Sequence, residues 1–210
     1  MKSRHRAKVR PIAAVLLLTV AVTAAGGAKA AEVRTEAGSL AGQLLVATAE
    51  MPDPRFARTV IYMVRHDASG AMGLIVNRPI GEVPLARLLE QLGIDSDGVS
   101  GNIRVHYGGP VQRRRGFMLH SADYVGEGTR IVNGAMALTD PLEILPAIAA
   151  GTGPHRSLFA LGYAGWGPGQ LEGEMGGGHW VIVPADEALV FDDDYEAKWQ
   201  RAIARRIIHL

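Results

Sequence analysis

Apolar runs separated by short turn signals dominate the chain from residue 42 onward and predict a β-rich core. The runs at residues 59–66 and 71–77 flank a four-residue polar turn that ends in glycine, a pattern typical of a β-hairpin. An Asn133-Gly134 step between two shorter runs predicts another tight hairpin. The remaining strands are predicted in residues 42–51, 103–111, 115–121, 156–166, 179–185 and 188–191.

Three segments show helical spacing or helical end signals instead. Leucines recur with helical periodicity over residues 85–92. Asp140 is the predicted N-cap of a helix that ends at Gly151 and is kinked or split by Pro146. Residues 192–207 predict a last helix with acids at its start and arginines at its end. Because strands outnumber helices and no βαβ alternation appears, the fold class is α+β, a twisted mixed, mainly antiparallel sheet with a few flanking helices.

The first thirty residues have the order of a secretory signal peptide. A basic stretch and an apolar stretch precede small residues at Ala28 and Ala30. The apolar stretch is too short for a bilayer, which needs about 20 apolar residues. We therefore predict cleavage after Ala30, a single domain over residues 31–210, a periplasmic or secreted location and no stable membrane span after cleavage. An uncleaved anchor, or a start codon assigned too far upstream in a cytoplasmic protein, are the alternatives.

Charge and missing motifs narrow the function classes. Cleavage would remove six basic residues and no acid, which changes the net charge from +1 to −5 and argues against a nucleic-acid partner. The chain has no cysteine, so disulfides, thiol nucleophiles and thiolate metal sites are excluded. Motifs of nucleotide-binding loops, zinc proteases and serine hydrolases are absent, so no cofactor is predicted.

A metal site is not predicted either. The histidines are scattered along the chain without the short spacings that bring zinc ligands together. Residues 192–194 are three aspartates that could hold a hard cation. The favoured interpretation of these aspartates is a helix start with one of them as its N-cap.

A glycine pair followed by three arginines is a candidate anion site. Gly108 and Gly109 can aim successive backbone N–H groups at one point, and residues 113–115 supply the cations. Arg78 is predicted to lie nearby in the fold. The alternative is that the glycines form a turn and the arginines keep an exposed strand edge soluble.

Residues 161–180 combine many glycines with two tryptophans and a tyrosine. Their aromatic and branched side chains gain too much from burial for a disordered linker, so this segment is predicted to fold. Glycines on both sides of Trp166 suit a tight excursion of the backbone against rings. Gln170, Glu172 and Glu174 are expected to project from its far side, beside a groove.

Several segments stand in the order and spacing of the YqgE/AlgH family, which the chain resembles from about residue 38 to residue 204. They are "MPDPRFARTVIYMVRHDASGAMGLIVNRPI", "YGGPVQRRRGFMLH", "LTDPLEIL", "ALGYAGWGPGQLEGEM" and "VF" followed by "KWQRA". The resemblance implies an α+β domain with a twisted, partly barrel-like sheet and capping helices. It implies no established reaction, although one branch of the family is linked to regulation of alginate production.

Three features depart from the family pattern. Typical members look cytoplasmic, whereas an export signal here argues against a role at promoters. Relatives usually have an asparagine and a small hydroxyl residue where Gly178 and His179 precede Trp180. Without cysteine, a thiol-based redox role proposed for cysteine-bearing relatives cannot operate.

These observations favour an exported, non-catalytic binding or regulatory domain that recognises an anionic small molecule or a protein. The predicted groove is lined by Arg78, Gly108, Gly109, Arg115, Trp166 and Gln170. One alternative is a hydrolase or lyase of unrecognised type, with His120 or His179 as base and Glu172 or Glu174 as acid. Another is a cytoplasmic transcriptional regulator, if the signal segment is a misassigned start.

Overall fold

A computed structural model describes residues 38–206, which contain ten strands and five helices. The strands are β1 (Gln43–Ala47), β2 (Val60–Asp67), β3 (Gly70–Ile75), β4 (Pro79–Pro84), β5 (Asn102–Tyr107), β6 (Val111–Ser121), β7 (Arg130–Ile131), β8 (Met136–Thr139), β9 (Ser157–Trp166) and β10 (Trp180–Pro184). The helices are α1 (Leu85–Gln91), α2 (Pro141–Ala149), α3 (Gln170–Gly176), α4 (Glu187–Val190) and α5 (Tyr195–Ile203). The predicted signal peptide lies outside the described residues.

The strands form one sheet in the order β10-β1-β2-β3-β9-β6-β8-β7, with β4 and β5 attached beside β9. All pairings are antiparallel except β5 with β9, which is parallel. The sheet curls into a half-barrel, so the predicted α+β class with a mainly antiparallel, partly barrel-like sheet is confirmed. β9 is the central strand, because its first half pairs with β5 and β6 and its last residues pair with β3.

Both faces of β1 and β2 are buried, which explains their continuous apolar sequences. Val60 and Tyr62 pack into the cluster covered by α5, whereas Ile61 and Met63 pack into a cluster with the residues around α3. Successive strand residues point to opposite faces, so one strand supplies two cores. In the part of the chain that the structure describes, no helix has the length and apolar character needed to cross a membrane.

The predicted hairpins and three of the five helices are confirmed. The β2–β3 hairpin pairs Asp67 with Gly70, and β7 pairs with β8 around the Asn133-Gly134 turn. Asp140 caps α2 by accepting from the backbone N–H of Leu142 at 3.1 Å. Pro146 does not split α2, contrary to one of the two outcomes expected for it, and the helix continues to Ala149.

Two expectations were wrong. Residues 188–191, predicted as a strand, belong mainly to α4, because the Asp186 side chain accepts from the Leu189 N–H and starts a helical turn there. The glycine-rich segment contains the unpredicted helix α3, which begins directly after Gly169 in the left-handed conformation. Glycine supplies this conformation at low cost, so the helix can start at a sharp change of direction.

Candidate functional site

A recess of about 520 Å³ lies where the predicted aromatic segment meets the loop before β2. We call it the tryptophan recess. Its lining includes Arg55, Phe56, Trp166, Gln170, Glu174 and His179. Pro110 and Val111, which follow the glycine pair, complete one side.

One carboxylate organises the wall of the tryptophan recess. Oε2 of Glu174 accepts from the indole N–H of Trp166 at 2.9 Å and from that of Trp180 at 2.8 Å. Oε1 of Glu174 accepts from the side-chain amide of Gln170 at 3.0 Å. Glu174 therefore does not project away from the segment as expected, because burial of the two indoles requires an acceptor for their N–H groups.

Aromatic rings pack behind this wall. Phe56 stacks on Trp166 with 6.4 Å between the ring centroids and meets Trp180 edge-on at 5.6 Å. Arg55 lies beside them, where its guanidinium donates to both carboxylate oxygens of Asp53. The recess thus presents rings and polar groups whose charges are largely matched within the wall.

Arg78 supports the recess from outside. Its guanidinium donates to the carbonyl oxygens of Arg55 at 2.5 Å and Ala57 at 2.9 Å, and so braces the loop that carries Phe56. Burial lowers the pKa of Arg78 from its ordinary value. The side chain lines a different cavity beside Tyr107, so Arg78 acts on the recess through the loop.

The glycine pair serves close packing of the backbone. A Cβ at Gly109 would lie 2.1 Å from the carbonyl carbon of Tyr163, and one at Gly108 would lie 2.3 Å from the carbonyl oxygen of Gly162. The Gly108 N–H donates to the Leu161 carbonyl at 2.8 Å. This N–H therefore has a protein partner, and the glycines place Pro110 and Val111 beside Trp166.

The residues predicted to line one groove lie in or beside several different cavities of the structure. Trp166 and Gln170 line the tryptophan recess, and Arg78, Gly108 and Gly109 support its walls. Arg115 does not line this recess and lies in other cavities. The prediction that Trp166 and Arg115 line one groove is therefore wrong, because the fold places them in separate cavities.

The arginine run leaves the ladder between β6 and β9. Val111 pairs with Tyr163 and Gly116 pairs with Leu161, so residues 112–115 oppose Gly162 alone. Gln112 takes a positive φ of 47° within this bulge, and residues 112–115 are exposed. The bulge pushes three arginines outward from the sheet.

Arg115 meets two other arginines at a cavity of about 340 Å³, which we call the arginine cavity. Arg65 comes from β2 and Arg130 from β7, and the rings of Phe117 and Tyr163 also line the space. Arg65 donates to Asp67 at 2.9 Å and to the Ser69 hydroxyl at 2.6 Å. Arg115 lies over the Phe117 ring, with 5.1 Å from its guanidinium carbon to the centroid.

The arginines of this cavity exceed its acids. Among residues 38–206, neither Arg115 nor Arg130 forms an ion pair. The acid in the lining is Asp140, whose oxygen accepts from the backbone of α2. The cavity therefore has unmatched positive charge.

Three of the four candidate catalytic groups, His120, Glu172 and Glu174, have protein partners. His120 is buried, its Nδ1 donates to the Ser121 carbonyl, and its Nε2 accepts from the Thr139 hydroxyl at 2.8 Å. Burial lowers the pKa of His120. His66 Nδ1 accepts from the Leu40 N–H, so its Nε2 donates to Glu172 at 2.8 Å. His179 shares the recess with Glu174, but that carboxylate already accepts three hydrogen bonds.

The three aspartates at residues 192–194 diverge. Asp194 is the N-cap of α5, as expected, and accepts from the Ala197 N–H at 3.1 Å. Asp192 pairs with Arg201 and Asp193 pairs with Arg104. Each carboxylate thus has a separate structural role.

Comparison with known proteins decides the family. A family model described as AlgH-like matches residues 44–210, which include both cavities. The chain belongs to the AlgH-like family. The resemblance stated from the glycine and tryptophan signature is thereby confirmed.

Relatives and solved structures agree with this assignment. A UPF0301 protein of Rhodospirillum rubrum is 49% identical over 168 residues, covering 80% of this chain and 88% of the relative. One from Methylococcus capsulatus is 47% identical over 162 residues, covering 77% and 88%. The solution structure of AlgH from Pseudomonas aeruginosa gives a TM-score of 0.68 at 43% identity, covering 82% of this chain and 91% of that one.

A more distant structure shares the AlgH-like fold. The crystal structure of a Corynebacterium diphtheriae protein gives a TM-score of 0.64 at 19% identity, covering 80% of this chain and 87% of the other. At this identity the likeness shows the fold alone.

Sequence reasoning missed Arg55, Arg65 and Arg130 as site residues. Arg65 and Arg130 lie 65 residues apart in sequence and meet only through the non-local pairing of the sheet. Arg55 stands in the loop between Pro52 and Phe56, and the aromatic residue beside it was the available signal.

Proposed function

We propose that this AlgH-like chain is a non-catalytic binding domain that holds a small anionic ligand in the arginine cavity. The observation that carries the proposal is the convergence of Arg65, Arg115 and Arg130 on one cavity in an otherwise acidic domain. Arg65 is paired with Asp67. Arg115 and Arg130 have no acidic partner among the described residues, and an anion would offset the repulsion among these cations.

The lining favours a phosphate or carboxylate joined to a small ring. Arginine presents a planar fork of donors that matches both anions. Phe117 and Tyr163 meet edge-on at 5.8 Å, and the half-buried Tyr163 ring offers a surface for packing. A volume of about 340 Å³ lies at the lower end of the range of roughly 300–1,000 Å³ typical of small-molecule sites.

Binding without catalysis is favoured by the state of one candidate base and one candidate acid, His120 and Glu174. Both nitrogens of His120 and both oxygens of Glu174 are occupied by protein partners. A general acid or base needs a position within hydrogen-bond reach of the substrate, which neither group offers while these contacts persist.

A thermal-shift and calorimetry series tests the proposal. The full chain is titrated with inorganic phosphate, pyrophosphate, glucose 6-phosphate, uridine monophosphate and glucuronate. Ligand at 100 times its Kd stabilises by about 2.7 kcal/mol, so a true ligand raises Tm measurably. Added salt should weaken binding, because the attraction is ionic.

Matched variants locate the site. Arg130→Gln should reduce affinity at least tenfold, because the cavity loses an unpaired cation, while Arg87→Gln, an exposed arginine on α1 outside the cavity, should leave affinity unchanged. Failure of every anion to bind, or equal binding to Arg130→Gln, would overturn the proposal.

We further propose that the domain acts after export, on the strength of the signal-like order of residues 1–30. Cell fractionation with N-terminal sequencing tests this directly. A mature form that begins at Ala31 outside the cytoplasm is expected, and an intact cytoplasmic chain would refute export.

A further inference from the structure

A third cavity, which we call the apolar groove, lies between α1, α2 and the strands β5, β6 and β9, with a volume of about 440 Å³. Side chains from four of these elements give it an almost continuous hydrocarbon surface. The principal ones are Leu88, Leu92, Val105, Leu142, Phe159 and Leu161.

The groove is open and its floor depends on a glycine. A Cβ at Gly116 would lie 2.8 Å from the Phe159 ring and 2.9 Å from Pro141, so any side chain there would displace the floor. Leu142 is 50% exposed at the edge, where it continues the apolar lining of the groove to the surface.

Positive charge stands at the mouth. Arg114 and Arg115, pushed outward by the bulge in β6, line the same groove. In the described range 38–206, Arg114 has neither an ion pair nor a side-chain hydrogen bond, and Arg115 bonds weakly to Gln112 at 3.4 Å. The one acid in the lining, Asp140, is engaged as the N-cap of α2.

We propose that the apolar groove binds a single anionic amphiphile, with its acyl chain between α1 and α2 and its carboxylate at Arg114 and Arg115. The hydrocarbon lining alone would suit many apolar occupants, but two unneutralised guanidiniums at one end select a molecule with one anionic head. This site goes beyond the arginine cavity and shares only Arg115 and Asp140 with it.

The contributions of the ligand's acyl chain and of its charged head group to affinity can be measured separately. Calorimetric titration of the full chain uses octanoate, decanoate and dodecanoate below their micelle-forming concentrations. Each added methylene should strengthen binding about fourfold while the groove has room. Dodecanol, which has the same tail but no charge, should bind at least tenfold more weakly than dodecanoate.

Two variants, each with a matched control, test where the acyl chain and the carboxylate of dodecanoate bind. Leu142→Glu puts a charge in the groove wall and should abolish dodecanoate binding, whereas Val125→Glu makes the same change at a 70% exposed valine in a loop that lines none of these cavities. Arg114→Gln should weaken dodecanoate at least fivefold and leave dodecanol unchanged, whereas Arg87→Gln should alter neither. Leu142 is exposed at the start of α2, where glutamate suits the helix dipole, so the fold should persist.

Other outcomes refute the groove. Affinity independent of chain length, equal binding of dodecanol, or full binding by Leu142→Glu would each overturn the proposal. Binding confined to phosphatidylglycerol vesicles, or to an acidic amphipathic peptide, with none to monomeric dodecanoate, would also do so. Arg130→Gln should leave dodecanoate binding intact, so failure of the arginine cavity and failure of the groove are distinguishable.

Discussion

Trp166 and Trp180 donate their indole N–H groups to the same oxygen, Oε2 of Glu174, and so join β9 to β10 through α3. The two residues are only 6% and 4% exposed, so their indole N–H groups depend largely on the shared acceptor. The tryptophan recess therefore owes one wall to a single carboxylate.

Removal of that carboxylate should be costly. Glu174→Ala leaves two buried donors unsatisfied, and we expect a loss of about 3 kcal/mol in the free energy of unfolding. Urea denaturation followed by tryptophan fluorescence measures it. Glu172→Ala on the same helix removes only the exposed pair with His66 and should cost less than about 1 kcal/mol. Similar losses for both variants would show that the shared acceptor adds nothing special.

The glycine at residue 109 should be irreplaceable. Gly109 has a φ of +153°, and in Gly109→Ala the new Cβ would lie 2.1 Å from the carbonyl carbon of Tyr163. Both atoms belong to or are attached to the backbone, so the clash cannot be relieved by a side-chain movement. We expect a loss of about 4 kcal/mol or failure to fold. Gly173→Ala in α3 meets no atom within 4 Å and should gain about 1 kcal/mol by helix propensity. Thermal unfolding of both variants checks the contrast, which an intact Gly109→Ala protein would contradict.

His106 should make the protein sensitive to acid. Burial lowers the pKa of His106 from 6.5 to about 4, assisted by the nearby charges of Lys198 and Arg104. Because the folded pKa lies below the unfolded one, the stabilisation is present above pH 6.5 and is lost as pH falls toward 4. The loss is about 3 kcal/mol.

The variant His106→Phe isolates the contribution of His106 to the loss of stability at low pH. Its ring fills the same buried site without titrating, so the difference in unfolding free energy between variant and wild type should shift by that amount between pH 6.5 and pH 4. Urea titrations across this window measure the difference. A difference that stays constant with pH would refute the assignment.

Lys198 should produce a second rise of stability with pH, in the alkaline range. Its side chain is fully buried and donates to the carbonyls of Val76 and Val190, and burial lowers its pKa from 10.5 to about 8. Since the unfolded chain binds the proton more tightly, stability should rise by about 3 kcal/mol as pH increases from 8 to 10.5. Lys198→Met should lack this rise. Parallel pH profiles for the two proteins would contradict the prediction.

Local signals predicted those parts of the fold that local interactions decide. The β2–β3 hairpin follows from a turn between two apolar runs, and the start of α2 follows from Asp140 with Pro141 behind it. Residues 188–191 misled because four apolar residues are too few to separate a strand from one helical turn. The edge strand β4, bounded by prolines, also had no clear pattern.

The site was predicted in part for the same reason. Trp166 and Gln170 lie four residues apart, so their shared recess was visible in the sequence. Arg65, Arg115 and Arg130 come from three strands, and only sheet pairing across long loops brings them to one cavity. No spacing rule connects such residues. Arg78 points to backbone carbonyls, which carry no side-chain signature.

The bulge at residues 112–115 separates two duties of the protein. These residues stand outside the β6–β9 ladder, whereas Gly116 and the residues after it resume the pairing. Under the proposed binding function, substitutions within the bulge would change which anions the two cavities accept while the β6–β9 pairing stays in place. If ligand binding is demonstrated, protein engineers could alter its specificity through residues 112–115 alone.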